Sequence, residues 1–158
     1  MYIRIRYIFI LLLAGCGYTF NTLIPPYLKS LAIKDVENLT MNPNINYVFK
    51  TALLNAFIKD GNYRLTNTQE ADAVLSIKIL SYSKTPQSYD ATQNVYQYKL
   101  SISYEIRLED IVKKRTLITG VNTEYIIYDR DKLNETQALD SLSKKFASEI
   151  LRRSTMLW

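Results

Sequence analysis

At 158 residues, with 47% hydrophobic and 22% charged content, the chain is long enough for one core and too short for two good ones. Its net charge of +5 is mild, so it neither demands a nucleic acid nor excludes an anionic partner. There is no His and a single Cys, which removes the commonest general base, the commonest metal ligand and any disulfide within the chain.

Arg4 and Arg6 precede an uncharged apolar run from Tyr7 to Leu13, which exits through the small residues Ala14 and Gly15 to Cys16. A positive segment, an apolar segment and a small-residue exit make a secretory signal. A Cys directly after Leu13-Ala14-Gly15 makes it a bacterial lipoprotein signal, cleaved before a lipid-modified Cys16. The run is too short for a spanning helix, which needs about 20 apolar residues. Residues 1–15 are therefore expected to leave as signal peptide, taking two arginines and no acid and lowering the net charge from +5 to +3. The expected modification is diacylglycerol plus an N-acyl chain on Cys16, palmitate among the acyl groups. Two or three chains hold in effect permanently, at roughly 0.8 kcal/mol per buried methylene. No other cofactor is expected, and no other segment is long enough to span a membrane.

Residues 16–28 read as the lipidated N-terminus and a tether, with Pro25-Pro26 favouring extended backbone. Fully extended, it reaches about 40 Å. Residues 29–158 then read as one domain. Lys29 to Val36 is the first strand, with Leu31 and Ile33 on one face. Glu37 to Pro43 breaks that pattern, and Asn42-Pro43 reads as N-cap and first helical residue. Ile45, Val48, Phe49, Ala52, Leu53, Ala56 and Phe57 follow at helical spacing, and Gly61 closes the helix.

Tyr63 to Thr66 is a short second strand, and Asn67 to Glu70 turns the chain. Ala73, Leu75, Ile77 and Ile79 line one face of a third strand. Its second face holds Val74, Leu80 and Tyr82, so the strand is expected to be central or covered. Ser83 to Asn94 is polar, contains Pro86 and Asp90, and reads as a loop. Tyr98, Leu100, Ile102, Tyr104, Ile106 and Leu108 then alternate with Lys99, Ser101, Ser103, Glu105 and Arg107, a long antiparallel strand with one dry and one wet face. Asp110 to Lys114 is the turn. Leu117, Thr119, Val121, Thr123, Tyr125 and Ile127 mark its partner strand. Asp129 to Lys132 is a charged loop. Asn134 with Gln137 makes a capping box for a last helix striped by Leu139, Leu142, Phe146 and Ile150.

The order β-α-β-β-β-β-α predicts an α+β sandwich: two helices packed on one face of a mostly antiparallel sheet of four to five strands. The opposite face, carrying Lys99, Ser101, Ser103, Glu105 and Arg107, is too polar for a core. It is either solvated or set against a polar partner.

Catalytic equipment is sparse. Four glycines cannot build a phosphate loop. Ser143 and Lys144 are adjacent on a helix and point apart. Asp35 with Glu37, and Asp129 with Asp131, are candidate Ca²⁺ ligands, although acidic loop residues are more often simply solvated. A binding or assembly protein is expected rather than an enzyme. Of the 13 tyrosines, Tyr98, Tyr104 and Tyr125 fall on buried strand faces, and Tyr89 and Tyr96 flank the polar loop, where a ring could pack on a partner.

An ordered set of short motifs supports a family comparison. It comprises Cys16-Gly17-Tyr18, Leu31-Ala32-Ile33 with Val36-Glu37-Asn38 and Thr40, and Phe57 to Leu65 at the end of the first helix. Ala71-Asp72-Ala73-Val74-Leu75, Tyr96-Gln97-Tyr98-Lys99-Leu100 and a last helix ending near Trp158 complete it. Together these resemble the lipopolysaccharide-assembly lipoproteins, the LptE type. The resemblance implies an outer-membrane lipoprotein on the periplasmic side, lipid-anchored, partnered with a large β-barrel of the LptD type. It acts there as plug and assembly factor for lipopolysaccharide transport. It also implies lipopolysaccharide contact by basic residues in the two loops, here Lys84, Arg130 and Lys132, and a barrel-facing role for the polar sheet surface. No nucleic acid is implied. The competing reading is a periplasmic lipoprotein that activates a cell-wall synthase or belongs to a secretion pore.

Overall fold

The computed structural model describes residues 24–156. Residues 1–15, expected to be a signal peptide, and Cys16 lie outside the described residues. The elements are β1 (Ser30–Ile33), β2 (Glu37–Asn38), α1 (Ile45–Asp60), β3 (Arg64–Leu65), β4 (Ala73–Tyr89), β5 (Val95–Asp110), β6 (Arg115–Asp129) and α2 (Glu135–Thr155). The sheet order is β3-β1-β4-β5-β6, with β2 pairing β4 beyond the end of β1. β1 runs parallel to β3 and β4, β2 runs parallel to β4, and the two long hairpin pairings are antiparallel. This is the expected α+β sandwich with one addition, the two-residue β2 in the stretch expected only to break the first strand.

Asn38 explains that stretch. Its Oδ1 accepts from the Thr40 N–H and hydroxyl at 2.9 and 2.8 Å, while its Nδ2 donates to the Asn42 carbonyl at 2.8 Å. These local bonds turn the chain from β2 into α1. The helix starts two residues later than Asn42 predicts: the N-cap is Asn44, and Asn42 instead accepts the Asn44 N–H through its side chain at 3.2 Å. Gly61 ends α1 with φ 72°, a left-handed conformation that glycine adopts without a Cβ penalty. At α2 the capping box forms as the sequence predicts, Gln137 N–H to Asn134 Oδ1 at 2.9 Å and Asn134 N–H to Gln137 Oε1 at 3.0 Å.

One core lies between the helices and one sheet face. Ile45, Phe49, Leu53 and Phe57 from α1 meet Leu142, Phe146 and Ile150 from α2 over Leu100, Ile102, Tyr104, Ile106 and Leu108 of β5. Phe146 is its centre, edge-on to Phe49 at 5.0 Å and to Tyr104 at 4.7 Å between ring centroids. Ile24, Tyr27 and Leu28 also pack on this core, so the body begins before Lys29.

Three corrections concern the long strands. First, Ser83–Tyr89 is not loop but the second half of β4, paired with β5 as far as Tyr89 with Val95. Pro86 is accommodated because β1 and β2 leave β4 at Ile79, so its far half has a free edge where a missing N–H costs no ladder bond. Second, a bulge between Ile79 and Ser81 inserts Leu80 and reverses the alternation. Tyr82 and Lys84 therefore oppose Ile102 and Leu100 on the helix side. Third, β6 turns its apolar alternation outward. A bulge at Leu108/Glu109 skips Leu117 and sets Ile118 against Leu108. The positions opposite the buried β5 residues are then Gly120, Asn122, Glu124 and Ile126, and Tyr125 is 46% exposed rather than buried.

Candidate functional site

The chain enters the sheet at one end and the candidate residues gather at the other. At the entry, Tyr27 donates to Asp110 Oδ2 at 2.7 Å, and Arg115 Nε reaches the same oxygen at 3.3 Å. Burial alone would raise the Asp110 carboxyl. The Lys113 N–H, the Tyr27 hydroxyl and Arg115 outweigh it and hold the group below the usual carboxylate range. Beside it, Asp72 Oδ2 accepts from the Lys29 and Ser30 N–H groups and the Ser30 hydroxyl, at 3.0, 2.9 and 2.7 Å. This clamp ties the start of β1 to the start of β4.

β5 is 16 residues long, so the opposite end of the sheet lies up to about 50 Å away. There the β4–β5 turn, the β6–α2 loop and the start of α2 come together. Lys84 donates to Glu135 Oε2 at 2.8 Å, and its Nζ sits 4.4 Å from the Tyr98 ring centroid. The Tyr82 hydroxyl donates to the other Glu135 oxygen at 3.0 Å. Glu135 stands in the first turn of α2, where a negative charge suits the helix dipole. Its bond with Lys84 keeps the carboxyl low despite partial burial and raises the Lys84 ammonium. Burial, then Glu135, pushes the Tyr82 phenol upward. Tyr98 lies against Tyr128 at 5.9 Å.

Arg130 and Lys132 arrive at the same end. Lys132 pairs with Asp129 at 2.8 Å and Arg130 with Asp131 at 3.3 Å. Asp129 also accepts from Gln97 Nε2 at 2.7 Å and the Tyr96 hydroxyl at 3.2 Å, and these bonds, Lys132 first, hold its carboxyl low. The three predicted cations thus share one region, and each already touches a carboxylate. Asp90 shapes the turn: Oδ1 accepts the Thr92 N–H and hydroxyl at 2.9 and 2.7 Å and the Asn94 N–H at 2.9 Å. The Thr92 hydroxyl leads in lowering the Asp90 pKa.

The predicted polar surface lies on the sheet face away from the helices. Ser101 bonds Ser83 at 2.8 Å, Arg107 pairs with Glu109 at 3.6 Å, and the Lys99 Nζ lies 4.4 Å from the Tyr125 ring. The outward residues of β6, Val121, Tyr125 and Ile127, extend this face with apolar area that the alternation had placed inside. Their outward turn was not legible without the register of the β5–β6 hairpin.

The candidate Ca²⁺ acids are otherwise engaged, Asp35 with Lys50, Glu37 with Lys78, and Asp129 and Asp131 as above. Among the described residues no group of three acids, Cys or His could hold a metal ion. Ser143 donates to the Asp140 carbonyl and Lys144 pairs with the Asp140 carboxylate, so the two do not meet. A groove of about 770 Å³ separates the outer sides of the helices, floored by small residues such as Ala52, Ala56 and Ala147. Among the described residues no helix is long and apolar enough to cross a membrane.

The described residues thus form an α+β sandwich, two helices on one sheet, with a long hairpin and an outer sheet face that is polar on β5 and partly apolar on β6. The chain belongs to the LptE family of lipopolysaccharide-assembly proteins, whose model matches residues 28–154. A search of the curated proteins finds no match. Among solved structures, the hypothetical protein CT253 from Chlamydia trachomatis is similar at TM-score 0.62 and 13% identity, over 79% of this chain and 94% of that one. A PelC dodecamer variant from Paraburkholderia phytofirmans gives 0.56 and 14%, over 80% and 88%. The rare lipoprotein B of Shewanella oneidensis gives 0.51 and 13%, over 77% and 91%. At these identities the likeness is one of fold.

Proposed function

We propose that this chain is the lipoprotein subunit of a lipopolysaccharide-export assembly in the outer membrane, without catalytic activity of its own. Acyl chains on Cys16 hold it to the periplasmic side of the bilayer. Its body associates with a large β-barrel of the LptD type, as plug and assembly factor, and the hairpin end meets lipopolysaccharide in transit. The family match over residues 28–154 carries this reading. The sheet face built from Lys99, Ser101, Ser103, Glu105 and Arg107 supports it, because a hydrophilic face suits a water-lined lumen. Lys84, Arg130 and Lys132 stand at the end where we place the lipopolysaccharide contact. The entry of the chain at Ile24–Leu28, at the opposite end of the sheet, supports that placement, since an anchor reached from there and the contact region do not compete for the same space.

Co-purification from detergent-solubilised outer membrane tests the reading. The expected result is a stable one-to-one complex with a large β-barrel. Recovery only with cell-wall enzymes or secretion-pore components would replace it with the competing class.

A further inference from the structure

The closed end of the β4–β5 hairpin is unusual in composition. From Thr85 to Tyr98 it holds one charged residue, Asp90, among tyrosines, amides and hydroxyls. Two rings flank its turn, Tyr89 at 61% and Tyr96 at 39% exposure. Neither is needed by the core. Tyr96 is held by its hydroxyl bond to Asp129 and by the Arg130 N–H on its carbonyl at 3.1 Å. The three acceptor bonds of Asp90 hold the turn between the rings. The rings are therefore displayed on a preorganised turn, which lowers the ordering cost of binding.

Charge decides what such a display suits. Around this end Lys84, Lys99, Arg130 and Lys132 face Asp90, Asp129, Asp131 and Glu135, so the charges cancel. Lys84, Arg130 and Lys132 are already paired with carboxylates, and the Lys99 Nζ lies on the Tyr125 ring. A phosphate would have to displace a carboxylate, or draw Lys99 off its ring, in a neighbourhood without net positive charge, whereas a neutral polyhydroxylated ring needs an aromatic face and nearby neutral donors and acceptors. Gln87, Ser88 and Gln97 are such groups, with Ser88 already bonded to Gln97 at 2.9 Å.

We propose that the hairpin end is a platform for neutral saccharide rings, stacked on Tyr89 and Tyr96, and that it contacts the uncharged sugars of lipopolysaccharide rather than its phosphates. This rests on the function proposed above and names the part of the ligand that the site takes.

The test is calorimetric titration of the full lipoprotein in detergent with two probes: intact lipopolysaccharide, and its core oligosaccharide after removal of lipid and phosphate. The oligosaccharide should bind. Tyr89→Ala and Tyr96→Ala should each weaken it by about tenfold, the scale of one lost aromatic contact. Tyr96→Phe, which keeps the ring, should retain binding, and Arg130→Gln with Lys132→Gln should change it less than about twofold. Both tyrosines are exposed, so unchanged thermal unfolding certifies the variants as folded. An oligosaccharide that does not bind, or alanine variants that bind like the parent, overturns the proposal. Loss of intact lipopolysaccharide binding only in the Arg130/Lys132 variant also overturns it, but leaves the proposed function standing. Loss of barrel co-purification in the tyrosine variants, without any oligosaccharide binding, makes the hairpin a protein contact and overturns it in the same way. Failure of the parent both to bind lipopolysaccharide and to co-purify with a barrel removes the inference and the function together.

Discussion

Glu135 shows how one residue joins two elements. It stands in the first turn of α2 and accepts from Tyr82 and Lys84 of β4. Its carboxyl is held below its usual value of 4.5, led by Lys84, so its contribution to stability is complete above that value and lost as pH falls through the lower folded-state value. Glu135→Gln should lower the melting temperature at neutral pH, and the gap from the parent should close in acid. Glu149 behaves alike near the other end of α2, where Arg152 leads in lowering it to about 2. A second residue-scale prediction concerns Tyr104. Its ring packs on Phe146, but its buried hydroxyl has no hydrogen-bond partner among the described residues, and burial pushes its pKa up to about 12. Tyr104→Phe removes an unpaired polar atom and should be neutral or stabilising by up to about 1–2 kcal/mol in urea unfolding. Phe146→Ala should instead cost about 3–5 kcal/mol, because it empties the centre of the core.

Among the elements, the two long hairpins carry the information that matters. The alternation in β5 could be read directly, since one unbroken strand keeps its parity and Leu100, Ile102, Tyr104, Ile106 and Leu108 are all fully buried. β4 and β6 could not be read the same way, because a single inserted residue exchanges the faces. Edge position compounds this for β6. Its helix side is covered by α2 alone, and Lys145 reaches over to Glu124 at 3.2 Å and to the Tyr125 carbonyl at 2.9 Å. A lysine on an open edge also hinders pairing with another strand. The far half of β4 has the sequence pattern of a loop, because Pro86 and polar residues usually mean one and nothing local announces a free edge. The β4–β5 turn yields its own prediction. Asp90→Ala should speed amide exchange around the turn, from Ser88 to Gln97, while exchange in the central part of β5 stays slow.

At the scale of the whole molecule, the chain entry at Ile24–Leu28 and the hairpin tip occupy opposite ends of one sheet. Tyr27 and the Ser30–Asp72 clamp secure the entry, so a pull on the chain at Ile24 is received by β1, β4 and the end of β5. The expectation for Cys16→Ser follows from this separation. The body should unfold at the same temperature as the parent, and the protein should appear in the soluble periplasmic fraction; loss of the fold would place residues before Ile24 in the structural core.

The sequence by itself determined both helices, the buried face of β5 and the family resemblance. Each of these depends on local chemistry or on a period that runs uninterrupted. Only the tertiary structure decided that β4 continues through Pro86, that β6 shows Val121, Tyr125 and Ile127 to the outside, and that Lys84 shares an end with Arg130 and Lys132. Those outcomes depend on strand register and on which edges are left free. Both are set by bulges and partners far away in the chain, which no local pattern of residues encodes.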